Sequence, residues 1–189
     1  MPRVHHLRAR KAIPSIGVLP GDMYYKWKMR QGNSGVKRVS KTPPRPSQLT
    51  LSPFLSAWRG FSERIEDMDL DGNFYAALQE LAGEIRELGE EQTNNRDNMP
   101  EGLQQGETGL LLETRAEKCE EWASALESLD EPDEPDEETV KAEVERAEGE
   151  TDEEFKGRQD EAWETAQEEY QGKLKELQEE AVGADPGEE

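Results

Sequence analysis

Between Phe54 and Leu129 the apolar residues recur at alternating spacings of four and three, in three successive runs. Phe54, Trp58, Phe61, Ile65 and Met68 form the first; Phe74, Leu78, Leu81, Ile85 and Leu88 form the second. Leu112, Cys119, Trp122, Leu126 and Leu129 form the third, with Arg115 at the one polar position on its line. Side chains three and four apart share one face of a helix, so each run is a narrow seam of the kind that packs helices into a small bundle or coiled coil. Ser52 suits the N-cap of the first helix and Pro53 its first position, where a missing N–H costs nothing. The second opens near Asp71 and the third near Thr108, and Gln92 to Gly106, with Asn94-Asn95, Pro100 and two glycines, is expected to be a loop. Only 32% of the 189 residues are hydrophobic against 35% charged, too little apolar material for a large single-core α/β enzyme.

The net charge of −21 is a sum of two opposed parts. Residues 1–50 hold eleven Lys and Arg against the single acid Asp22, or +10, and the other 139 hold twelve against 43, or −31. A basic segment attracts polyanions, whereas an acidic one repels them or occupies basic surfaces. The boundary falls at Thr42-Pro43-Pro44-Arg45-Pro46, where prolines stop any ladder or helix. Three parts are therefore expected: a basic segment 1–46, a three-helix region 47–129, and an acidic part 130–189.

In the basic segment, residues 1–22 have little periodicity and are read as irregular or at most one short strand. Residues 23–30 alternate, with Tyr25, Trp27 and Met29 on one face and Tyr24, Lys26, Lys28 and Arg30 on the other, as a half-buried strand requires. Gln31-Gly32-Asn33-Ser34-Gly35 can turn the chain, and Val36 to Thr42 can return as a second strand. A lone hairpin is marginal in water, so it must pack on a third strand from residues 1–19 or on the following helix.

The acidic part opens with Asp-Glu-Pro-Asp-Glu-Pro-Asp-Glu-Glu from Asp130 to Glu138, a self-repelling extended linker. A polar helix around 138–148 can follow. Thr151-Asp152-Glu153-Glu154 has capping-box spacing before a helix with the weak seam Trp163, Ala166, Tyr170, Leu174 and Leu177. Polar almost all round, that helix needs a partner, and the composition predicts a partly disordered tail. The fold class is thus mainly α: a small basic β-hairpin, a helical bundle or coiled-coil region, and an acidic, partly disordered helical tail.

Three sets of residues carry candidate chemistry. Lys26, Lys28, Arg30, Lys37, Arg38 and Lys41 on the paired strands, beside Tyr24, Tyr25 and Trp27, combine cations that neutralise phosphates with aromatics that can stack on bases, and a two-stranded ribbon fits a major groove. The plain reading of the same pattern is a solvated basic face with Trp27 and Tyr25 in a small core. Asp67, Asp69 and Asp71 with Gly72 match the first half of a calcium loop, but Leu78 stands where a bidentate Glu belongs, so the segment reads as a helix–helix corner whose acids cap the next helix. Cys119 lies on an apolar seam and reads as core rather than nucleophile, and His5 and His6, being adjacent, point opposite ways in an extended segment. No Gly-rich phosphate loop, nucleophile elbow, disulfide framework or zinc set is present, and catalytic carboxylates cannot be singled out among 44 acids. The expectation is a non-enzymatic, cofactor-free protein. With no apolar run of membrane length and no signal-peptide stretch, it is also expected to be cytoplasmic.

The segments Arg10-Lys11-Ala12, Tyr24-Tyr25-Lys26-Trp27 and Ser40-Lys41-Thr42-Pro43-Pro44-Arg45-Pro46-Ser47-Gln48-Leu49-Thr50 resemble a group of proteins of tailed bacteriophages and their prophages. Asp97-Asn98-Met99-Pro100-Glu101-Gly102-Leu103-Gln104, then Thr108-Gly109 and Trp122, resemble the same group's later segment. This likeness covers the larger part of the chain and implies a phage-type protein without implying an activity. More loosely, a basic hairpin followed by a helix is similar to the DNA-contacting sheet modules of phage integrases, although no recombinase domain follows. The leading expectation is an accessory protein that binds DNA or RNA weakly through the hairpin and contacts partners, host or phage, through its acidic part. Alternatives are a scaffolding coiled coil that self-associates through its seams, and an acidic tail that mimics nucleic acid or masks the hairpin.

Overall fold

A computed structural model of the chain describes residues 2–31 and 34–187. The fold is mainly helical, with a three-stranded antiparallel sheet at the N-terminal end. The chain divides into two compact units, one running to Arg64 and the other spanning Ile65–Pro186, a division that falls within a helix.

In the first unit, β1 (Val4–Arg8), β2 (Met23–Gln31) and β3 (Ser34–Ser40) lie in the order β1-β2-β3. The hairpin is thus completed by a third strand from the N-terminal segment. Its return strand begins at Ser34 rather than Val36, and the tip of the expected turn, Gly32-Asn33, lies outside the described residues. Between β1 and β2 the ladder is prolonged by the Ala9 N–H to Asp22 O and Gly21 N–H to Ala9 O bonds, each 2.8 Å. Beyond it, Ile13 pairs with Val18 around a 3-10 turn that Gly17 closes at φ 63°, a conformation open to glycine without strain. Asp22, the one acid of the first fifty residues, is used locally: its Oδ2 accepts the Leu19 N–H at 2.9 Å.

Helix α1 (Pro53–Asp67) starts where Ser52-Pro53 places it, with the Leu55 N–H donating to Ser52 Oγ at 3.4 Å. Up to Arg64 the buried apolar side chains are Ala9, Val18, Trp27, Met29, Phe54, Trp58 and Phe61. The Phe54 and Trp58 rings meet at 5.6 Å between centroids.

The second unit is built around α2 (Phe74–Asp97) and α4 (Glu107–Glu127), joined by the short helix α3 (Glu101–Gln104). The buried face of α2 follows the expected seam through Phe74, Leu78, Leu81 and Ile85, then passes to Gly89 and Gln92 instead of Leu88. An α-helix turns every 3.6 residues, so a 3.5-residue repeat drifts off the contact line unless the helices supercoil. At Gly89 a Cβ would stand 2.8 Å from Cys119 Cβ and 3.3 Å from Ala116 O, so the two helices approach there as closely as a hydrogen side chain allows.

The expected loop from Gln92 to Gly106 is mostly helix. Asn94 and Asn95 continue α2, because the burial of Gln92 and the Arg96–Glu113 ion pair at 3.3 Å hold this turn against α4. Polar side chains close the pair elsewhere: Gln79 Nε2 donates to Leu126 O at 3.3 Å, satisfying one of the last carbonyls of α4, and Tyr75 Oη donates to Leu129 O at 3.2 Å just past its end. The Arg86 guanidinium donates to Glu120 and Glu127, and holds the Glu127 carboxyl below the usual carboxylate range.

The acidic part corrects the expectation of disorder. After an irregular stretch, α5 (Glu137–Glu143) leads into α6 (Asp152–Gly183), one continuous helix of 32 residues. The Thr151 box is closed in both directions, with the Glu154 N–H on Thr151 Oγ1 at 3.3 Å and the Thr151 N–H on Glu154 Oε2 at 3.0 Å. Lys141 of α5 pairs with Glu137 and with Asp160 of α6, both at 2.8 Å, while Arg158 clamps Glu150 and draws that carboxyl down to about 2. Further on, Leu174, Leu177 and Ala181 are buried, and Gln178 Nε2 donates to the carbonyls of Ile65 and Glu66 at 2.8 and 3.2 Å, capping the end of α1. Composition alone omits these specific ties, and they give the polar helix the partner it requires.

Candidate nucleic-acid interface

In an antiparallel sheet, directly opposed residues point to the same side, so the register sorts the basic residues by face. His5 opposes Lys26, Leu7 opposes Tyr24, and Lys28 opposes Lys37, which collects these side chains on one face. Trp27 opposes Val4 and Arg38, and Met29 opposes Val36, on the other. The six cations of the sequence reading therefore do not form one surface. Lys26, Lys28 and Lys37 belong together, Arg38 points the opposite way, and Lys41 is exposed beyond the end of β3. Arg30 lies on the strand register of Lys26 and Lys28, with its side chain outside the described residues.

A groove of about 950 Å3 runs over the lysine face. Arg3, Lys26, Lys28 and Lys37 line it with His5 and Leu7, Trp27 and Met29 of β2 also contribute, and Leu49, Thr50 and Leu51 form a further wall. That wall is held from α1. Glu63 accepts the Ser47 N–H at 2.8 Å and the Ser47 hydroxyl at 2.7 Å, and Ser56 Oγ donates to Ser47 O at 2.9 Å, fixing the 3-10 turn Pro46–Leu49 from which the wall emerges.

Several cations of the unit Ile65–Pro186 are neutralised in ion pairs. Arg86, Arg96, Lys141, Arg146 and Arg158 each pair with one or two carboxylates. Among the described residues no acid pairs with Arg3, Lys26, Lys28 or Lys37, and none lines the groove, in a chain with 44 acids. Four cations without an acid partner beside apolar side chains give the groove a positive potential with an apolar flank.

The aromatics need correction. Trp27 is only 3% exposed, so its ring offers no open face for a base and serves the core, because alternation puts it on the covered side of the sheet. Tyr25 is stacked on His6, rings 4.4 Å apart and 8° from parallel, and Tyr24 is half-buried on the lysine face. Sequence reasoning missed Arg3, His5, Leu7 and the Leu49–Leu51 wall. His5 and Leu7 lie on a strand without clear alternation and Arg3 just before it, and the wall depends on contacts 16 residues apart that no local pattern signals.

The other candidates are placed elsewhere. Asp67, Asp69 and Asp71 are exposed at the α1–α2 corner, where Asp71 Oδ1 accepts the Asn73 N–H at 2.9 Å just before α2. Among the described residues no three His, Cys, Asp or Glu side chains are placed to hold a metal ion together. Cys119 is fully buried and its thiol is pushed up to about 12 by burial, far from a thiolate nucleophile. No described helix is long and apolar enough to cross a membrane. No family model, curated protein or solved structure matches the chain, so the groove's own chemistry carries the functional reading.

Proposed function

We propose that the chain is a non-enzymatic accessory protein, of the phage type its sequence resembles, that binds nucleic acid through the lysine face of the sheet. The observation carrying this reading is the set of four cations, Arg3, Lys26, Lys28 and Lys37, around one groove that no acid lines or neutralises among the described residues. Phosphates are the polyanion that such a spaced row of cations serves, and the −31 balance of the remaining residues keeps the binding weak and salt-sensitive. The scaffolding alternative gains no support, because Trp58, Ile65, Leu78, Leu81, Ile85, Cys119, Trp122 and Leu126 are fully buried within a single chain and leave little seam for another copy.

Adjacent residues on opposite faces provide the test. Four phosphate contacts give a slope of log affinity against log salt of about −2.8 on single strands and −3.6 on duplex, a loss of about 50- to 150-fold between roughly 50 and 200 mM salt. Lys37→Glu is expected to reduce affinity and flatten the slope by about one contact, whereas Arg38→Glu, equal in charge, leaves the slope near that of the parent. Fluorescence anisotropy over a salt series measures both. Equal effects from the two variants, or no binding at low salt, would refute the assignment.

A further inference from the structure

Resting on that reading, we infer that the groove takes single-stranded nucleic acid, with phosphates on Arg3, Lys26, Lys28 and Lys37 and bases laid against Leu7, Leu49 and Leu51. The sheet was expected to enter a major groove as an open ribbon, but Leu49, Thr50 and Leu51 wall the same groove that the lysines line. A duplex presents an unbroken phosphate rim and hides its base faces, so it can reach the cations only from outside and gains nothing from the wall. A single strand can splay its bases and use both sides of such a groove. Leu7 and Leu51 are each 39% exposed, apolar surface that an anion site has no use for unless the anion carries apolar groups. The volume of about 950 Å3 is at the upper end for small-ligand sites, and four cations line it. Glu63, which pins the wall through Ser47, acts as a positioning residue.

The full-length chain can be titrated at low salt against labelled oligonucleotides of about 12 units: a thymidine strand, an abasic strand with the same phosphates, and a duplex. The thymidine strand is expected to bind about tenfold more tightly than either of the others, as roughly 50–60 Å2 of apolar surface removed from water at the leucines provides. Leu51→Ala should remove most of that preference while leaving abasic binding unchanged. Glu63→Ala removes a negative charge, so electrostatics alone would strengthen every probe. A selective loss for the thymidine strand, with the melting temperature of the variant recorded alongside, instead marks the wall's placement. Duplex binding equal to or tighter than the strand overturns this inference and leaves the nucleic-acid reading standing, as does equal binding of the abasic strand. Failure of every probe overturns both, and so does displacement by an acidic peptide as effective as the strand itself.

Discussion

The contact between α2 and α4 at Gly89 can be tested against a neighbour on the same helix. Gly83 and Gly89 both lie inside α2, and replacing either by alanine restores the same helix propensity, about 0.5–1 kcal/mol. Their surroundings differ. A Cβ at Gly83 meets nothing within 4 Å, whereas one at Gly89 lies 2.8 Å from Cys119 Cβ and 3.3 Å from the Ala116 carbonyl. Neither of those atoms belongs to a side chain that can swing aside, so the helices must separate, an overpacking cost of about 1–3 kcal/mol. The unit Ile65–Pro186 has 122 residues, for which 1 kcal/mol corresponds to about 4 °C in Tm. Gly83→Ala is therefore expected to raise the Tm by about 2–4 °C, and Gly89→Ala to fall below Gly83→Ala by about 4–12 °C. Propensity cancels in that difference, leaving the close approach alone. Circular dichroism melts of the three full-length proteins measure it. Equal gains in both variants would refute the close packing of α2 on α4.

Three further outcomes follow from the same unit. Arg86→Gln removes the partner that holds the Glu127 carboxyl down; a lowered carboxyl stabilises above its ordinary range and loses that contribution as pH falls through its folded value. The Tm gap between parent and variant at pH 7 should thus close below the ordinary glutamate value of about 4.3. Cys119 should resist alkylating and disulfide reagents in the folded chain and react stoichiometrically in denaturant, and fast labelling of the native protein would contradict its burial. Thr151→Ala opens the box at the start of α6 at a cost of about 1 kcal/mol, so amide exchange in its first turn should quicken about fivefold while the Leu174–Ala181 turn is unaffected.

The helices were legible wherever their signal was local. The 4-3 seams, the Ser52-Pro53 start and the Thr151 box each depend on residues within one or two turns; the start and the box appear as read, and the seams hold except at Met68, Leu88 and Leu112. Misreadings share a different cause. Asn94-Asn95 has the composition of a loop but is held helical by Arg96 reaching Glu113, and the tail has the composition of a disordered segment but is held by Lys141 and Gln178. At the site, alternation along β2 correctly separated Trp27 from Lys26 and Lys28 but could not say which face is covered. The wall was invisible, since Ser47 and Glu63 carry no pattern that announces their pairing.

In the order β1-β2-β3, two of the three strands are edges, each presenting backbone groups that another strand could pair with. Arg8 on one edge, with Lys37 and Arg38 on the other, places like charges where two copies would meet, which disfavours edge-to-edge pairing of this sheet. Only Lys37 belongs both to an edge and to the groove, so on the proposed function a bound polyanion would relieve the repulsion at that one position and leave Arg8 and Arg38 still guarding the edges.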